Sequence, residues 1–368
     1  MRLELSEDQK LFHETTVRFI EAELPLAATR HLHDDPIGYD RGWLQKAAAL
    51  GWFAMLVPGA DGGGSVSEHG LADVAILAEE FGRHVQPGPL VPMNVVAHAV
   101  DRAAVGGQRS LLAGLVSAET VASWAFADGD GNWDRGAGVL LDGGVLNGLR
   151  GCVQDAIGAD VLCVAATANG DAVHVLVPRD APGVTVDPLE SLDLSRRFAR
   201  VEFDDVGVSE DAVLRGVDPD ELLRVATVLN VADTVGAADH LLTMSIDYAK
   251  DRTAFGRPIG SFQAIKHILA DQALQLETCK AGLDAAVRAV SRSDPTADEI
   301  VSMVAAYVGD VANDLAQECL QVHGGIGYTW EHDLHLLLRR IRSNAALYGE
   351  PTWHREQVCR YHRLGEAT

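Results

Sequence analysis

Two long segments in the second half of the chain repeat apolar residues at steps of three or four. They occupy residues 222–248 and 265–276. Such spacing places the apolar side chains along one face of a helix, so each segment is predicted to be a helix buried on that face. Three helix breakers lie between them: Gly256, Pro258 and Gly260. The pattern therefore predicts a kinked corner that exposes Arg252 at the end of the first helix.

Four shorter helices are predicted before residue 120. Their apolar periodicity covers residues 6–24, 40–51, 68–83 and 92–105. Ser6 and Gln9 have the spacing of a capping box at the start of the first helix. Since a proline restricts the residue that precedes it, three prolines predict an extended connection before the fourth helix: Pro87, Pro89 and Pro92.

Near residue 121 the pattern changes to short β-branched or alternating runs separated by glycine and aspartate. These runs lie at residues 139–141, 159–166, 172–177 and 201–203, and they are typical of a compact β domain. The helical period returns near residue 208 and breaks only at 252–263 and 291–296. The predicted fold class is therefore α+β, mostly α. Its three predicted domains are an N-terminal helical domain (1–120), a middle β domain (121–207) and a C-terminal helical domain (208–368).

Composition is that of a globular protein, because 47% of the 368 residues are hydrophobic and 23% are charged. No apolar run approaches the ~20 residues that cross a bilayer and no leader pattern opens the chain, so a cytoplasmic protein without membrane contact is predicted. The net charge of -23 argues against a nucleic-acid partner and is interpreted as a solubilising surface. The five cysteines are scattered and are predicted to be reduced thiols. The spacing of His332, His335 and His354 predicts no metal site.

The corner at residues 252–263 carries side chains that suit an anionic ligand with an aromatic part. Arg252 offers a planar guanidinium for phosphate, and Phe255 and Gln263 follow in the same corner. A plain structural corner between two helices is the simpler interpretation of the same spacing. Residue types alone therefore leave a ligand site and a structural corner open.

The residue identities in this corner are more specific than the spacing of its helix breakers. From Tyr248 to Gln263 it reads Tyr-Ala-x-x-Arg-x-x-Phe-Gly-x-Pro-Ile-x-x-Phe-Gln, which resembles the flavin-binding signature of the acyl-CoA dehydrogenase family. From Gln321 to Tyr328 the chain reads Gln-Val-His-Gly-Gly-Ile-Gly-Tyr, which is similar to that family's second signature, Gln-x-x-Gly-Gly-x-Gly-Tyr. The order of short motifs before residue 84 also resembles the family's N-terminal helical domain. The resemblance thus covers nearly the whole chain.

This resemblance implies a helical domain, a β-barrel-like middle domain and a C-terminal four-helix bundle. It implies FAD that accepts a hydride from the β-carbon of an acyl-CoA while a base removes the α-proton, with an electron-transfer flavoprotein as acceptor. Six residues would contact FAD: Arg252, Phe255 and Gln263 at its pyrophosphate and adenosine part, and Gln321, Gly324 and Gly325 from a neighbouring subunit. A homo- or hetero-oligomer is therefore expected. Two basic clusters suit the coenzyme A polyanion: Arg339, Arg340 and Arg342, and Arg196, Arg197 and Arg200.

Two strand positions depart from the family's flavin-ring contacts. The family has a Trp-x-Thr-like strand, whereas this chain has Cys152 at the tryptophan position and Gln154 at the threonine position. Asp128 and Gly129 keep some of the character of the preceding turn. The usual contacts to the flavin ring are therefore not recognisable in this chain.

The position of the catalytic base departs as well. Tyr348 stands at one family position for the base, and Ala226 stands near the alternative one. The nearest carboxylates are Asp233 and Glu350, which become the candidate catalytic residues because a base must reach its proton within hydrogen-bond distance. The structural alternatives are a buried, paired residue for Asp233 and a surface carboxylate for Glu350.

The sequence leaves two functions open. The first is an acyl-CoA dehydrogenase that is active within an assembly, with Asp233, Glu350 or an unrecognised carboxylate as the base. The second is a catalytically silent subunit that completes the FAD site of a partner chain. The retained motifs are those that would serve a neighbour's flavin, which favours the second. The acyl chain, and the choice between dehydrogenase and oxidase, are not indicated by any motif.

Overall fold

Helices make up most of the computed structural model, which describes residues 5–103, 109–133 and 138–364. Over these residues eleven α-helices are present: α1 (Glu7–Glu23), α2 (Leu26–Thr29), α3 (Arg41–Ala48), α4 (Gly70–Arg83), α5 (Leu90–Ala103), α6 (Arg109–Val116), α7 (Pro219–Asp251), α8 (Gln263–Ser291), α9 (Ala297–His323), α10 (Leu334–Asn344) and α11 (Pro351–Tyr361). The strands are β1 (Ala122–Ala125), β2 (Val139–Asp142), β3 (Val145–Gln154), β4 (Val161–Ala168), β5 (Asp171–Pro178), β6 (Val184–Leu189), β7 (Phe198–Gly207), β8 (Val213–Leu214), β9 (Thr253–Ala254) and β10 (Arg257–Pro258). This order of helices, strands and helices confirms the predicted α+β, mostly α class.

The first helix begins as its sequence predicts. Ser6 Oγ accepts a hydrogen bond from the Gln9 backbone N–H at 3.1 Å, and Gln9 Oε1 accepts one from the Ser6 N–H at 3.1 Å. This reciprocal pair satisfies two backbone donors that would otherwise lack partners at the helix start. Phe12 and Ile20 bury the inner face of the helix.

The region around the prolines differs from the prediction. The fourth predicted helix begins at Leu90 rather than after an extended connection through Pro92, so Pro92 lies inside the first turn of α5. A proline is tolerated there because the backbone N–H that it lacks has no partner within the helix in that turn. Helix α6 was not predicted, since its eight residues are too few for a clear helical period. Residues 104 and 105 of the predicted helix lie outside the described residues.

The strands from β1 to β8 form one mixed sheet. Its order is β6-β7-β3-β2-β4-β5-β8, and β1 pairs in parallel with β4 off this path. Along β7 the side chains of Val201 and Phe203 are buried while Glu202 between them is exposed, which is the two-residue period of a half-buried strand. Strand β3 pairs with β7 and has register shifts between Leu146 and Gly148 and between Arg150 and Val153. These irregularities explain why β3 lacks a clean alternating pattern in the sequence.

Contacts within the chain group the described residues into two compact units. One unit draws on Met1–His31, Ala75–Gln86 and Thr227–Thr368, and the other on Leu32–Val74 and Pro87–Ala226. Helices α4 and α7 each contribute residues to both units. The three linear domains inferred from the sequence therefore stay a prediction. In the described part of the chain, no helix combines the length and apolarity needed to span a membrane.

In the first of these units, α4 and α7 cross at two glycines. A Cβ atom placed on Gly82 would lie 1.7 Å from the Asp233 carbonyl oxygen, and one on Gly236 would lie 1.8 Å from the Glu79 carbonyl oxygen. No side chain can be accommodated at such distances, so the two backbones are in direct contact. This contact fixes the part of α7 that carries Asp233.

Candidate cofactor and active site

The predicted corner between α7 and α8 is a short antiparallel hairpin. Helix α7 ends at Asp251, and the Arg252 backbone N–H still donates to the Tyr248 carbonyl at 2.8 Å. Strands β9 and β10 then pair in register, and the Ile259 N–H donates to the Arg252 carbonyl at 2.8 Å, which closes the hairpin. Arg252 is exposed, as its position at the helix end predicts.

Phe255 stands at the tip of this hairpin and is 95% exposed. Its backbone has a φ of +54°, and the following Gly256 has a φ of +79°, so the turn uses two consecutive left-handed residues. That conformation is unfavourable for phenylalanine and natural for glycine. The Phe255 ring meets Phe262 edge-on at 6.2 Å, and the Arg257 guanidinium lies 4.1 Å from the centre of the Phe262 ring. The exposed Phe255 ring is therefore held by its contact with Phe262, which itself packs against Arg257.

The two sequence motifs meet through stacked rings. His323 ends α9, and its ring stacks on that of Tyr248 with centroids 4.5 Å apart. The Nδ1 atom of His323 lies 2.9 Å from the Cys319 carbonyl within the same helix. Burial lowers the pKa of His323, so the imidazole is held neutral. A neutral ring stacked on tyrosine joins the end of α9 to the helix that precedes the hairpin.

The remaining predicted cofactor residues lie on exposed backbone around this junction. Gln263 opens α8 and Gln321 lies in the last turn of α9, and both side chains are exposed. Gly324 has a φ of +61° and begins a short 3₁₀ turn that includes Gly325. A Cβ atom on Gly324 or Gly325 would meet nothing within 4 Å among the described residues. The backbone here is open to a close ligand.

The donor set of this exposed surface fits the phosphate and adenosine part of FAD. Arg252 carries the positive charge, and the amides of Gln263 and Gln321 can donate and accept hydrogen bonds. Apolar residues extend the same region, with Tyr328 78% exposed and Trp330 46% exposed.

The strand residues at the flavin-ring positions belong to the other compact unit. Cys152 lies in an irregular part of β3 with a φ of +48°, and burial raises the pKa of its thiol. Gln154 is 5% exposed, and its Nε2 donates to Asp155 Oδ2 at 2.9 Å. The Gln154 carbonyl accepts from the Ser123 hydroxyl at 2.5 Å. At this position the side chain is thus a glutamine engaged with its neighbour rather than a hydroxyl group directed at a ligand.

Asp233 is buried within helices rather than open to a pocket. It is 2% exposed, and its Oδ1 accepts a hydrogen bond from Asn344 Nδ2 at 2.7 Å. The same oxygen lies 3.4 Å from Nε of Arg340, which is fully buried and also donates to the Gln86 carbonyl. A carboxylate in this position is the counter-charge of a buried arginine.

The other residues considered for the base lie in two places: Tyr348 and Glu350 in the turn at residues 345–350, and Ala226 on α7. Tyr348 is 4% exposed and has a φ of +59°, and Ala226 on α7 is fully buried. Glu350 is exposed at the position that precedes α11, and its side chain makes no capping hydrogen bond. The two candidate carboxylates therefore have different surroundings. Asp233 is engaged in an ion pair, whereas Glu350 faces solvent.

The basic clusters expected to attract coenzyme A are only partly on the surface. Arg340 and Arg196 are buried, and Arg197 donates to the backbone carbonyls of Leu32 and His33. Neither cluster therefore exposes all three arginines, and a role for the clusters in binding coenzyme A stays a prediction. The burial of Arg340 can be predicted from the sequence, because this residue follows Leu336 and Leu337 at helical steps and so lies on the buried face of α10.

Comparison with known proteins gives consistent results. Residues 6–119 match the family model described as acyl-CoA dehydrogenase, N-terminal domain, and residues 221–361 match the model described as acyl-CoA dehydrogenase, C-terminal domain. Acyl-CoA dehydrogenase FadE34 of Mycobacterium tuberculosis is 33% identical over 88% of this chain, which spans only 43% of that relative. Acyl-CoA dehydrogenase IpdE2 of Mycolicibacterium smegmatis is 28% identical over 97% of this chain and 98% of its own length. A solved structure described as the Tcur3481–Tcur3483 steroid ACAD superposes with a TM-score of 0.87 and 26% identity, covering 98% of this chain and 99% of the other.

Proposed function

The chain belongs to the acyl-CoA dehydrogenase family, and on that premise we propose that it is a subunit of a heteromeric, FAD-dependent acyl-CoA dehydrogenase. In this assembly it contributes the surface around Arg252 and Gly324 to an FAD whose ring and catalytic base lie in a partner chain. The proposal rests on which residues occupy the positions of the catalytic base and on their burial and pairing. Tyr348 is buried at one, Ala226 lies near the other, and Asp233 is paired with Arg340.

The exposed motif surface supports a role toward FAD. Arg252 offers the positive charge that a pyrophosphate needs, and the backbone at Gly324 and Gly325 is open to close approach. When bound, FAD supplies the hydride acceptor for dehydrogenation of an acyl-CoA. This chain would orient the anionic part of the cofactor and shield it from solvent.

The relatives support a partner of the same fold. FadE34 is more than twice as long as the region that this chain matches, since the chain spans 43% of it. The name Tcur3481–Tcur3483 joins two designations under one steroid ACAD. We accordingly propose a related chain as the partner, an acyl-CoA of fatty-acid or sterol-side-chain type as substrate, and an electron-transfer flavoprotein as acceptor. A cytoplasmic location is part of the same proposal.

A second candidate function is a dehydrogenase that is complete in itself, and Glu350 favours it. Its carboxylate is exposed, lies two residues after the base position and makes no capping hydrogen bond. It is therefore available to accept a proton. Asp233 is the weaker candidate for this function, because it would have to leave Arg340 and Asn344 in order to act as a base.

The flavin absorbance of the purified chain separates the two functions. Under the proposed function, the chain purified alone contains little flavin, and co-purification with a related chain from the same genome yields flavin that an acyl-CoA bleaches. Stoichiometric flavin in the lone chain, bleached by an acyl-CoA, would overturn the proposal. In that case loss of bleaching in Glu350→Gln would identify Glu350 as the base.

A matched pair of variants tests the contribution of the motif surface. Arg252→Ala should lower the flavin affinity of the assembly about 10- to 100-fold, as expected when a charged hydrogen bond to phosphate is lost. Lys266→Ala removes one exposed positive charge from the neighbouring helix α8 and should change the affinity only slightly. Equal effects of the two variants would show that overall charge, rather than the position of Arg252, governs binding.

A further inference from the structure

A small polar cavity lies beside the turn at residues 345–350. Its volume is about 20 Å³, and residues of α7, α9, α10 and α11 line it, together with Gly349 of the turn. A single water molecule requires roughly 10–15 Å³ of such volume. The cavity is therefore large enough for one water and too small for a substrate or cofactor.

Two buried side chains bring polar atoms to this cavity. His354 is 3% exposed and Asn230 is 6% exposed. Asn230 Nδ2 donates to the Asn344 carbonyl at 2.9 Å, which leaves Oδ1 as the second polar atom of the amide. Within the described residues this Oδ1 has no hydrogen-bond partner, and the Tyr348 backbone is the group that reaches the His354 ring, which leaves the other ring nitrogen without a partner. Buried polar atoms in folded proteins almost always have one, and ordered water is a common choice.

The imidazole at this site is neutral. Burial lowers the pKa of His354 to about 4, and a hydrogen bond from the ring to the Tyr348 backbone only partly opposes this effect. A neutral imidazole has one N–H donor and one nitrogen acceptor, whereas the carbonyl oxygen of an asparagine side chain only accepts. A water molecule between them can donate to Asn230 and complete the hydrogen bonding of one ring nitrogen.

We propose that this cavity is a binding site for one ordered water molecule that bridges Asn230 Oδ1 and the His354 ring. The bridge connects α7 to α11. Asn230 also donates a hydrogen bond to the carbonyl of Asn344, the last residue of α10 before the turn at 345–350. It therefore holds the start of this turn against α7. The water site thus positions the segment that carries Tyr348 and Glu350, and it does not depend on which chain holds the base.

A crystal structure of the full chain at a resolution that shows ordered solvent tests this site directly. The expected result is a density peak at hydrogen-bond distance, roughly 2.7–3.2 Å, from both Asn230 Oδ1 and one ring nitrogen of His354. No peak in the cavity, or protein atoms directly hydrogen-bonded to both ring nitrogens of His354, would overturn the proposal.

A double-substitution cycle provides the test in solution. If one water serves both side chains, His354→Leu should shift the urea midpoint less in the Asn230→Leu background than in the unsubstituted chain. The control pairs His354→Leu with Asn94→Leu, because Asn94 is a buried asparagine on α5 that does not line the cavity. These two shifts should add. Additive shifts in the first pair as well would contradict a shared water.

Discussion

At the scale of single residues, the buried arginine of α10 determines the role of Asp233. Arg340 is fully buried and its Nε lies 3.4 Å from Asp233 Oδ1. Replacing the carboxylate by an amide removes the negative charge that lies 3.4 Å from the guanidinium in a region of low dielectric constant. We therefore expect Asp233→Asn to lower the free energy of unfolding by about 3–5 kcal/mol, measured by urea denaturation.

Glu350→Gln is the matched control for this substitution. The same chemical change at this exposed side chain should alter the free energy of unfolding by no more than about 0.5 kcal/mol. A stable Asp233→Asn protein would show that Arg340 does not depend on this carboxylate. Asp233 would then return as a candidate base.

The buried histidine of the sheet should make the stability of the folded chain depend on pH. His174 is fully buried in β5, and its Nε2 accepts a hydrogen bond from Trp124 Nε1 at 3.2 Å. Burial, followed by the nearby charge of Arg150, lowers its pKa to about 4 from an ordinary 6.5. Between these values the unfolded chain binds a proton that the folded chain does not, so stability is lost as the pH falls from 6.5 to 4. The loss from this group is roughly 3 kcal/mol, because each pKa unit is worth 1.36 kcal/mol.

Urea midpoints between pH 7 and pH 4 measure this effect. His354 has a pKa near 4 as well, so the unsubstituted chain should show the pH dependence of at least two buried histidines. His174→Gln keeps an acceptor for Trp124 and removes the titrating group, and it should therefore reduce the slope of stability against pH. An unchanged slope would mean that His174 is protonated in the folded protein.

At the scale of elements, the crossing of α4 and α7 predicts a large effect from one methyl group. Because the backbones touch at Gly82 and Gly236, alanine at either position must push the helices apart. Each substitution should lower the free energy of unfolding by about 1–3 kcal/mol or more, measured by urea denaturation. Gly282→Ala in α8 is the control, since its Cβ would lie 3.4 Å from the nearest atom. That change should be neutral or should raise stability by about 0.5–1 kcal/mol; a comparable loss in all three would contradict a special role for the crossing.

The elements that the sequence predicts are those whose pattern is long and regular. Helix α7 is 33 residues long and contains the apolar repeat of residues 222–248. The capping box of α1 is formed by Ser6 and Gln9, as their spacing in the sequence predicts. Strand β1 was missed because Ala-Ser-Trp-Ala is buried on both faces and has no alternation. Strand β3 was missed because its glycines and register shifts interrupt the period. These two segments are strands because they pair with neighbouring strands in the folded chain. Their own sequences do not show this pairing.

The candidate site shows the same limit. Arg252 and Gly324 could be selected from motifs, but the stack of Tyr248 on His323 joins residues that are 75 positions apart. Neither residue carries a local signal of that contact. The pairing of Asp233 with Arg340 is likewise invisible in the sequence, because it depends on the packing of α10 against α7. The residue types of a site are thus easier to predict than the partners that determine their chemistry.

At the scale of the whole molecule, the net charge of -23 makes the protein sensitive to ionic strength. Excess like charge on the surface repels itself and destabilises the compact state, and salt screens this repulsion. The ion pair of Asp233 with Arg340 is buried, and that of Glu80 with Arg83 is nearly buried. Salt therefore weakens these two attractions much less than it weakens the repulsion between surface charges. The two effects together predict that salt raises the stability of the folded chain.

The midpoint of thermal unfolding should therefore rise as NaCl increases from about 0.01 M to about 0.15 M, where the screening length falls from roughly 30 Å to roughly 8 Å. An equal osmolality of an uncharged solute is the control, and it should produce a smaller rise because it does not screen charge. A midpoint that falls with salt would mean that exposed ion pairs, such as Arg41 with Asp160, outweigh the repulsion. In that case the acidic surface would be organised into local pairs, and the interpretation of the net charge as a uniform solubilising shell would be wrong.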